Sequence, residues 1–239
     1  MDFKKILFLI VLSIPLYLNA NIDKSITEIE LINKKADDKS ILKWAKFLRS
    51  NCYPYKNSEI LIREKEIIAD IKSYKLNVEC EGSFHVLPKN NALGNILNNI
   101  SFKNTKLNKI EGMSNVIEAK SITLENNDSL QSVEGFSSIK RITENYIIKN
   151  AKFKDIKFLS NLIKVRKLHI EDTPIENLKG LNRYLNCDEI YLNKVDIEKI
   201  SDSNLGIILR RGCRKITINN TNLKELSGLE IVRGLDFLD

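Results

Sequence analysis

From about Asn91 onward the chain repeats itself. Six segments follow one another, and one strand residue from each marks the period: Phe102, Leu124, Ile148, Ile170, Leu192 and Ile218, separated by 22, 24, 22, 22 and 26 residues. Every segment opens with a short run in which apolar and polar residues alternate, the period-two pattern of a half-buried strand. Two further apolar positions three residues apart follow. Four segments then carry an apolar-x-Gly-apolar step, at Ile110–Met113, Val133–Phe136, Leu178–Leu181 and Leu226–Leu229. A unit this short cannot bury its apolar edge alone. Stacked units share one continuous core, so the period dictates a solenoid.

With the pattern LxxLxLxxNxLxxL in view, these units resemble leucine-rich repeats. The short period and the I-x-G-L step are most similar to bacterial surface repeats of the internalin type, over roughly Leu97 to Leu229. The resemblance implies an α/β solenoid, a horseshoe whose parallel strands line a concave sheet, with a helical cap at its N-terminal end. A right-handed β-helix has coils of similar length, but the glycine step and the single alternating strand per period favour the horseshoe. The asparagine-ladder position of that family holds Thr105, Asn127, Ala151, Thr173, Val195 and Thr221, one match in six. A threonine can still bond to a neighbouring turn, whereas Ala151 and Val195 cannot, so the loop side is expected to be less regular than in the family.

The segments ahead of the repeats have other characters. Residues 1–20 join Lys4 and Lys5 to an apolar stretch, Ile6 to Leu18, that ends in Asn19-Ala20. Thirteen such positions are too few for a bilayer-spanning helix, which needs about 20, and the arrangement is that of a signal peptide cleaved after Ala20. An exported product follows, periplasmic, secreted or at the cell surface, with no membrane span left after cleavage. Residues 21–90 form a charged, helical cap region. Ser25-Ile26-Thr27-Glu28 has the form of a capping box, Ile41, Trp44, Ala45 and Leu48 share a buried helix face, and Ile60, Ile67, Ile68 and Ile71 form the face of a second helix. Trp44 belongs to the core on this pattern. Residues 91–239 are the repeat domain.

Export turns the four cysteines into disulfide candidates. Cys187 lies five residues before Leu192 and Cys213 five before Ile218, so the two hold the same position in consecutive turns. Parallel strands lie about 4.8 Å apart, within reach of a disulfide. Cys52 and Cys80 then pair, tying the head to the strand-like run Leu76–Cys80. Loops of 28 and 26 residues give about 3.5 kcal/mol each in the chain-entropy model. No CxxC pair supports a metal site.

In a repeat of this kind the residue between the two inward strand positions faces solvent. In order these are Ser101, Thr123, Ile147, His169, Tyr191 and Thr217. Ile147, His169 and Tyr191 break the small, polar run and should stand side by side, flanked by Lys149, Glu171 and Asn193 on one side and by Asn145, Lys167, Glu189 and Lys215 on the other. An exposed aromatic and apolar cluster is an interface candidate. The same residues also fit cross-strand pairs that only stabilise a sheet, with Lys149/Glu171 and Lys167/Glu189 as charge ladders. The expected role is therefore non-enzymatic binding of a protein or polymer through the concave sheet, without cofactor or metal. An envelope structural or assembly protein is the alternative, and an exported hydrolase a third reading. His85 and His169 lie in no nucleophile-elbow or zincin motif, and no phosphate loop is present. The formal charge of +7 falls to +6 once Asp2, Lys4 and Lys5 are removed. No block of like charge stands out along the chain, which argues against nucleic acid as a partner. Val232–Phe237 resembles a further strand, whose open edge predicts self-association or a covering partner.

Overall fold

The structure is a computed structural model, which describes residues 38–53, 76–89, 93–201 and 203–225. The expected signal peptide, the capping box, the second helix of the head, the Leu226–Leu229 step and the run Val232–Phe237 all lie outside the described residues.

Helix α1 spans Asp38–Asn51 and is followed by eight strands: β1 (Cys52–Tyr53), β2 (Val78–Glu81), β3 (Ile96–Lys103), β4 (Glu118–Asn127), β5 (Arg141–Ala151), β6 (Lys164–Glu171), β7 (Glu189–Asn193) and β8 (Lys215–Asn219). A second helix, α2 (Leu205–Arg211), precedes β8. The strands form one sheet in chain order. β1 pairs antiparallel with β2, and β2 to β8 are parallel throughout. The result is a parallel-strand solenoid with turns of about 22 residues, compatible with a leucine-rich type of repeat. The parallel ladder takes in Val78–Glu81, ahead of the expected start of the repeats at residue 91.

Alternation within each strand explains the core. Ile100, Ile122, Tyr146, Leu168 and Ile190 form one buried row, and Phe102, Leu124, Ile148, Ile170 and Leu192 the next. Ile216 and Ile218 continue both rows into β8, where they are only half-buried. Ile41, Trp44, Ala45 and Leu48 of α1 join the same core, at the i, i+3, i+4, i+7 spacing of one helix face.

The glycine step has a direct steric cause. A Cβ on Gly135 would stand 2.7 Å from the carbonyl oxygen of Ile110, in the turn before. One on Gly180 would meet the carbonyl of Ile156, and one on Gly112 the carbonyl of Pro88. At these three steps the turn lies directly against the backbone of its predecessor, and the Gly135 N–H uses the contact to bond Ile110 O at 2.9 Å.

The loop side is more regular than the sequence predicts. One residue per turn, at or just past the C-terminal end of each strand from β3 to β8, takes the left-handed conformation: Asn104, Asn126, Asn150, Asp172, Lys194 and Asn220, all with φ between 47° and 55°. Asparagine and aspartate tolerate this region better than other non-glycine residues. Their side chains link the turns. Asn104 donates to Glu81 (2.7 Å), Asn126 to Asn104 (3.0 Å) and Asn150 to Asn126 (2.7 Å). Lys194 continues the row as an ion pair with Asp172 (3.1 Å). A second, inner ladder runs one residue later, at the position expected from the family pattern. There buried Asn127 donates to the Phe102 carbonyl (2.8 Å) and accepts from the hydroxyl (2.6 Å) and backbone N–H (3.2 Å) of Thr105. Thr173 accepts the N–H of Ala151 at 3.5 Å.

Strand β5 is the irregular one. Between Ile142 and Asn145 it carries one more residue than either neighbour, a β-bulge seen from both sides. Just past it, Tyr146 takes a core position in an otherwise aliphatic row, its ring 6.3 Å from that of Phe158, with its hydroxyl buried and without a hydrogen-bond partner. Burial pushes its pKa far up.

Cys52 and Cys80 face each other across the β1–β2 pair and are joined by a disulfide. Cys187 and Cys213 differ from the expected bond: both are buried thiols. Their register is the expected one, since each lies two residues before a Glu189–Lys215 partner. Cys213 beside it and burial push the Cys187 thiol up, while the neighbouring Cys187 holds Cys213 down.

Candidate functional site

The outward face of the sheet is built by register. Ser101, Thr123, Ile147, His169, Tyr191 and Thr217 are consecutive Cα partners across β3 to β8. Each of the first five lies between two buried positions, Thr217 lies between the half-buried Ile216 and Ile218, and all six are half-buried. Ile147, His169 and Tyr191 therefore stand on adjacent strands. The His169 and Tyr191 rings meet at a centroid distance of 4.5 Å with planes inclined by 57°.

The row toward the strand ends reads Lys103, Glu125, Lys149, Glu171, Asn193 and Asn219, and Glu171 is its centre. Its carboxylate pairs with Lys149 (2.9 Å), meets Nε2 of His169 at 3.0 Å and accepts from Asn193 Nδ2 at 2.9 Å. The Lys149 ammonium and the Asn193 amide hold the Glu171 carboxyl down at about 2, against the smaller cost of burial. Glu171 in turn holds the Lys149 ammonium above its ordinary value. Asn193 is itself buried and accepts from Asn220 (2.9 Å). Its part is to fix Glu171, with little surface to offer a ligand.

On the other side run Asn145, Lys167, Glu189 and Lys215. Glu189 bonds Lys167 at 2.7 Å and Lys215 at 3.3 Å, and these ammonium groups keep its carboxyl below the usual range. All eight residues expected at the site thus lie on one face of β5 to β7, with Lys and Glu matched strand by strand. Such a face carries an aromatic and imidazole centre between self-neutralised charge rows. It offers area and hydrogen bonding, with no activated nucleophile among its residues. Among the described residues no group of three or more His, Cys, Asp or Glu could hold a metal ion. No helix among them is long and apolar enough to cross a membrane.

Sequence reasoning missed a groove of about 330 Å³ away from this face, between the loops of two turns, lined in part by Val133, Glu134, Phe153, Lys154 and Phe158. Phe158 stands where the preceding turn has Gly135, in the middle of equivalent 3-10 turns. It packs edge-on against Phe153, with ring centroids 5.4 Å apart. The signal was present as the one early segment lacking the glycine step. Comparison with protein-family models, with curated proteins and with solved structures finds no match to this chain.

Proposed function

We propose that this chain is an exported, non-enzymatic recognition module of leucine-rich-repeat type, in which α1 caps the core and a concave sheet binds a protein partner. The observation that carries the reading is the alignment of Ile147, His169 and Tyr191 on three adjacent strands, between charge rows that are already paired. Removing paired charges from water costs less than removing bare ones, so this face can be covered by a partner with an apolar or aromatic anchor. Aromatic residues supply much of the binding energy at such surfaces. The basic, apolar leader at residues 1–20 and the Cys52–Cys80 disulfide support export.

The test is affinity capture from envelope and extracellular extracts with the native chain and with His169→Ser/Tyr191→Ser. The double variant should lose the captured partner while its melting temperature stays within about 3 °C, because both side chains are half-buried on the outer face. Capture equal to that of the native chain overturns the proposal and leaves the face a purely structural ladder.

A further inference from the structure

Six of the nine arginines in the sequence are Arg141, Arg166, Arg183, Arg210, Arg211 and Arg214. The fold gathers most of these at one place, the N-terminal ends of β6 to β8. Lys164 opens β6 and bridges to Asn186 in the next turn. The Arg166 carbonyl accepts the N–H of Asp188 at 2.9 Å, and the N–H of Arg214 donates to the Asp188 carbonyl at 3.2 Å. Arg210 and Arg211 close helix α2, directly ahead of β8. Lys164, Arg166, Arg183, Arg210, Arg211 and Arg214 are all exposed.

Tyr184 organises this edge. It is 55% exposed, one of two large hydrophobic residues so exposed among those described. The Arg183 guanidinium carbon lies 5.3 Å and that of Arg211 4.9 Å from its ring centroid. The two arginines are 28 positions apart in sequence, so the ring joins Arg183 to the basic run Arg210–Lys215. Stacking on an aromatic ring restrains a guanidinium while leaving its N–H edges free. Among the described residues no carboxylate comes within ion-pair distance of Arg166, Arg183, Arg210 or Arg211. Arg214 has only a long contact to Asp188, at 3.8 Å. Elsewhere on the solenoid lysines are matched to glutamates strand by strand; here the cations exceed the acids.

We propose that this edge is a second binding site, separate from the outer sheet face and independent of its role, and that its ligand is a linear acidic polysaccharide. Guanidinium forks suit sulfate and carboxylate groups. The cations follow the stacking direction at about 4.8 Å per strand, so the site runs as a strip along the solenoid and fits an extended chain. Asn186, exposed in the same strip, provides an amide for sugar hydroxyls. A membrane surface would call for a cluster of apolar side chains beside the cations, and Tyr184 stands alone here. A single-stranded nucleic acid would need a free aromatic face for stacking, and the Tyr184 ring is engaged by two guanidiniums.

The experiment measures binding of the full chain at 0.15 M salt to immobilised dextran sulfate and polygalacturonate, with uncharged dextran as the reference. Arg183→Gln/Arg211→Gln should weaken binding to the acidic polymers about twenty-fivefold, at about fivefold per exposed cation near an anionic surface. Lys154→Gln/Lys224→Gln removes the same charge at the opposite strand ends and should cost less than about threefold, because charges separated by more than a Debye length are largely screened. Tyr184→Ser keeps the net charge and should still weaken binding several-fold by releasing the two guanidiniums. Equal losses in the two charge variants, or an unchanged affinity in Arg183→Gln/Arg211→Gln and Tyr184→Ser, overturn the site. Tighter binding to polyglutamate or to anionic lipid vesicles than to either polysaccharide overturns the ligand class.

Discussion

At the C-terminal end of each strand from β3 to β8 the chain passes through one left-handed residue at an equivalent position, from Asn104 to Asn220. At the N-terminal ends the turns differ from one another. β5 and β6 both follow a 3-10 turn, β5 alone then carries a bulge, and β8 is entered from helix α2. The exit ends are closed by two side-chain ladders and by matched charges, such as Lys154 with Glu176 at 2.8 Å. The entry ends hold unmatched arginines and an exposed tyrosine. The contrast teaches how a repeat can divide its work. Uniform exits set the spacing of the turns, and the entries are left free to vary in length and in chemistry.

The comparison can be broken most severely where the chain passes from one exit to the next entry. Gly180→Ala forces a Cβ into the Ile156 backbone and should cost about 3 kcal/mol or more, because backbone cannot yield as a side chain can; urea denaturation measures it. Next in size is the inner exit ladder. Asn127→Ala strands the Phe102 carbonyl and the Thr105 N–H in a buried site, which should cost about 2–3 kcal/mol. If the loss is below about 0.5 kcal/mol, the inner ladder does not set the spacing.

The entry side should respond in the opposite sense. Tyr146→Phe removes a buried hydroxyl without a partner and should stabilise the chain by about 1–2 kcal/mol, read by the same denaturation midpoint. The outer exit ladder sharpens the comparison on a smaller scale. Asn150→Ala gives up an exposed hydrogen bond and places a residue less suited to the left-handed region there, for about 1 kcal/mol. Asn150→Gly should fall closer to neutral, since glycine adopts that backbone freely.

The smallest effect is electrostatic and belongs to the outer face. Glu171 is held at about 2, below the unfolded value of about 4.3. Its contribution to stability is therefore complete above pH 4.5 and is lost as the pH falls through 2. Glu171→Gln should flatten the acid limb of the stability profile in that window, with its cost in stability largest above pH 5 and vanishing as the pH falls below 2. An acid limb identical in both proteins would remove Glu171 from the centre of its row.

The period made strand register readable in advance, because each repeat strand must place the same residue inward for the core to be continuous. That reasoning carried the row from Ser101 to Thr217 and the alignment of Cys187 with Cys213. It did not carry what happens between side chains. Asn193 occupies an outward position yet is buried by Glu171 and Asn220, and the Cys187–Cys213 pair is present as thiols. The outer ladder was one residue from view. Asn104, Asn126 and Asn150 directly precede the family's ladder position, and the preference of asparagine for positive φ is the signal that marks them. The arginine edge had only a partial linear signal, the run Arg210-Arg211-Gly-Cys-Arg214-Lys215, since Arg183 joins it only through Tyr184.

The order of the strands in the sheet is also their order in the chain. From β3 onward each new strand docks on the one made just before it, so every step closes a loop of about the same length and at about the same entropic cost. No turn waits for a distant segment, and a turn can settle as soon as its predecessor is in place, as nearest-neighbour stacking permits. The Cys52–Cys80 disulfide joins β1 to β2, the first of the parallel strands. It provides a covalently fixed template at the end from which such stepwise assembly would proceed.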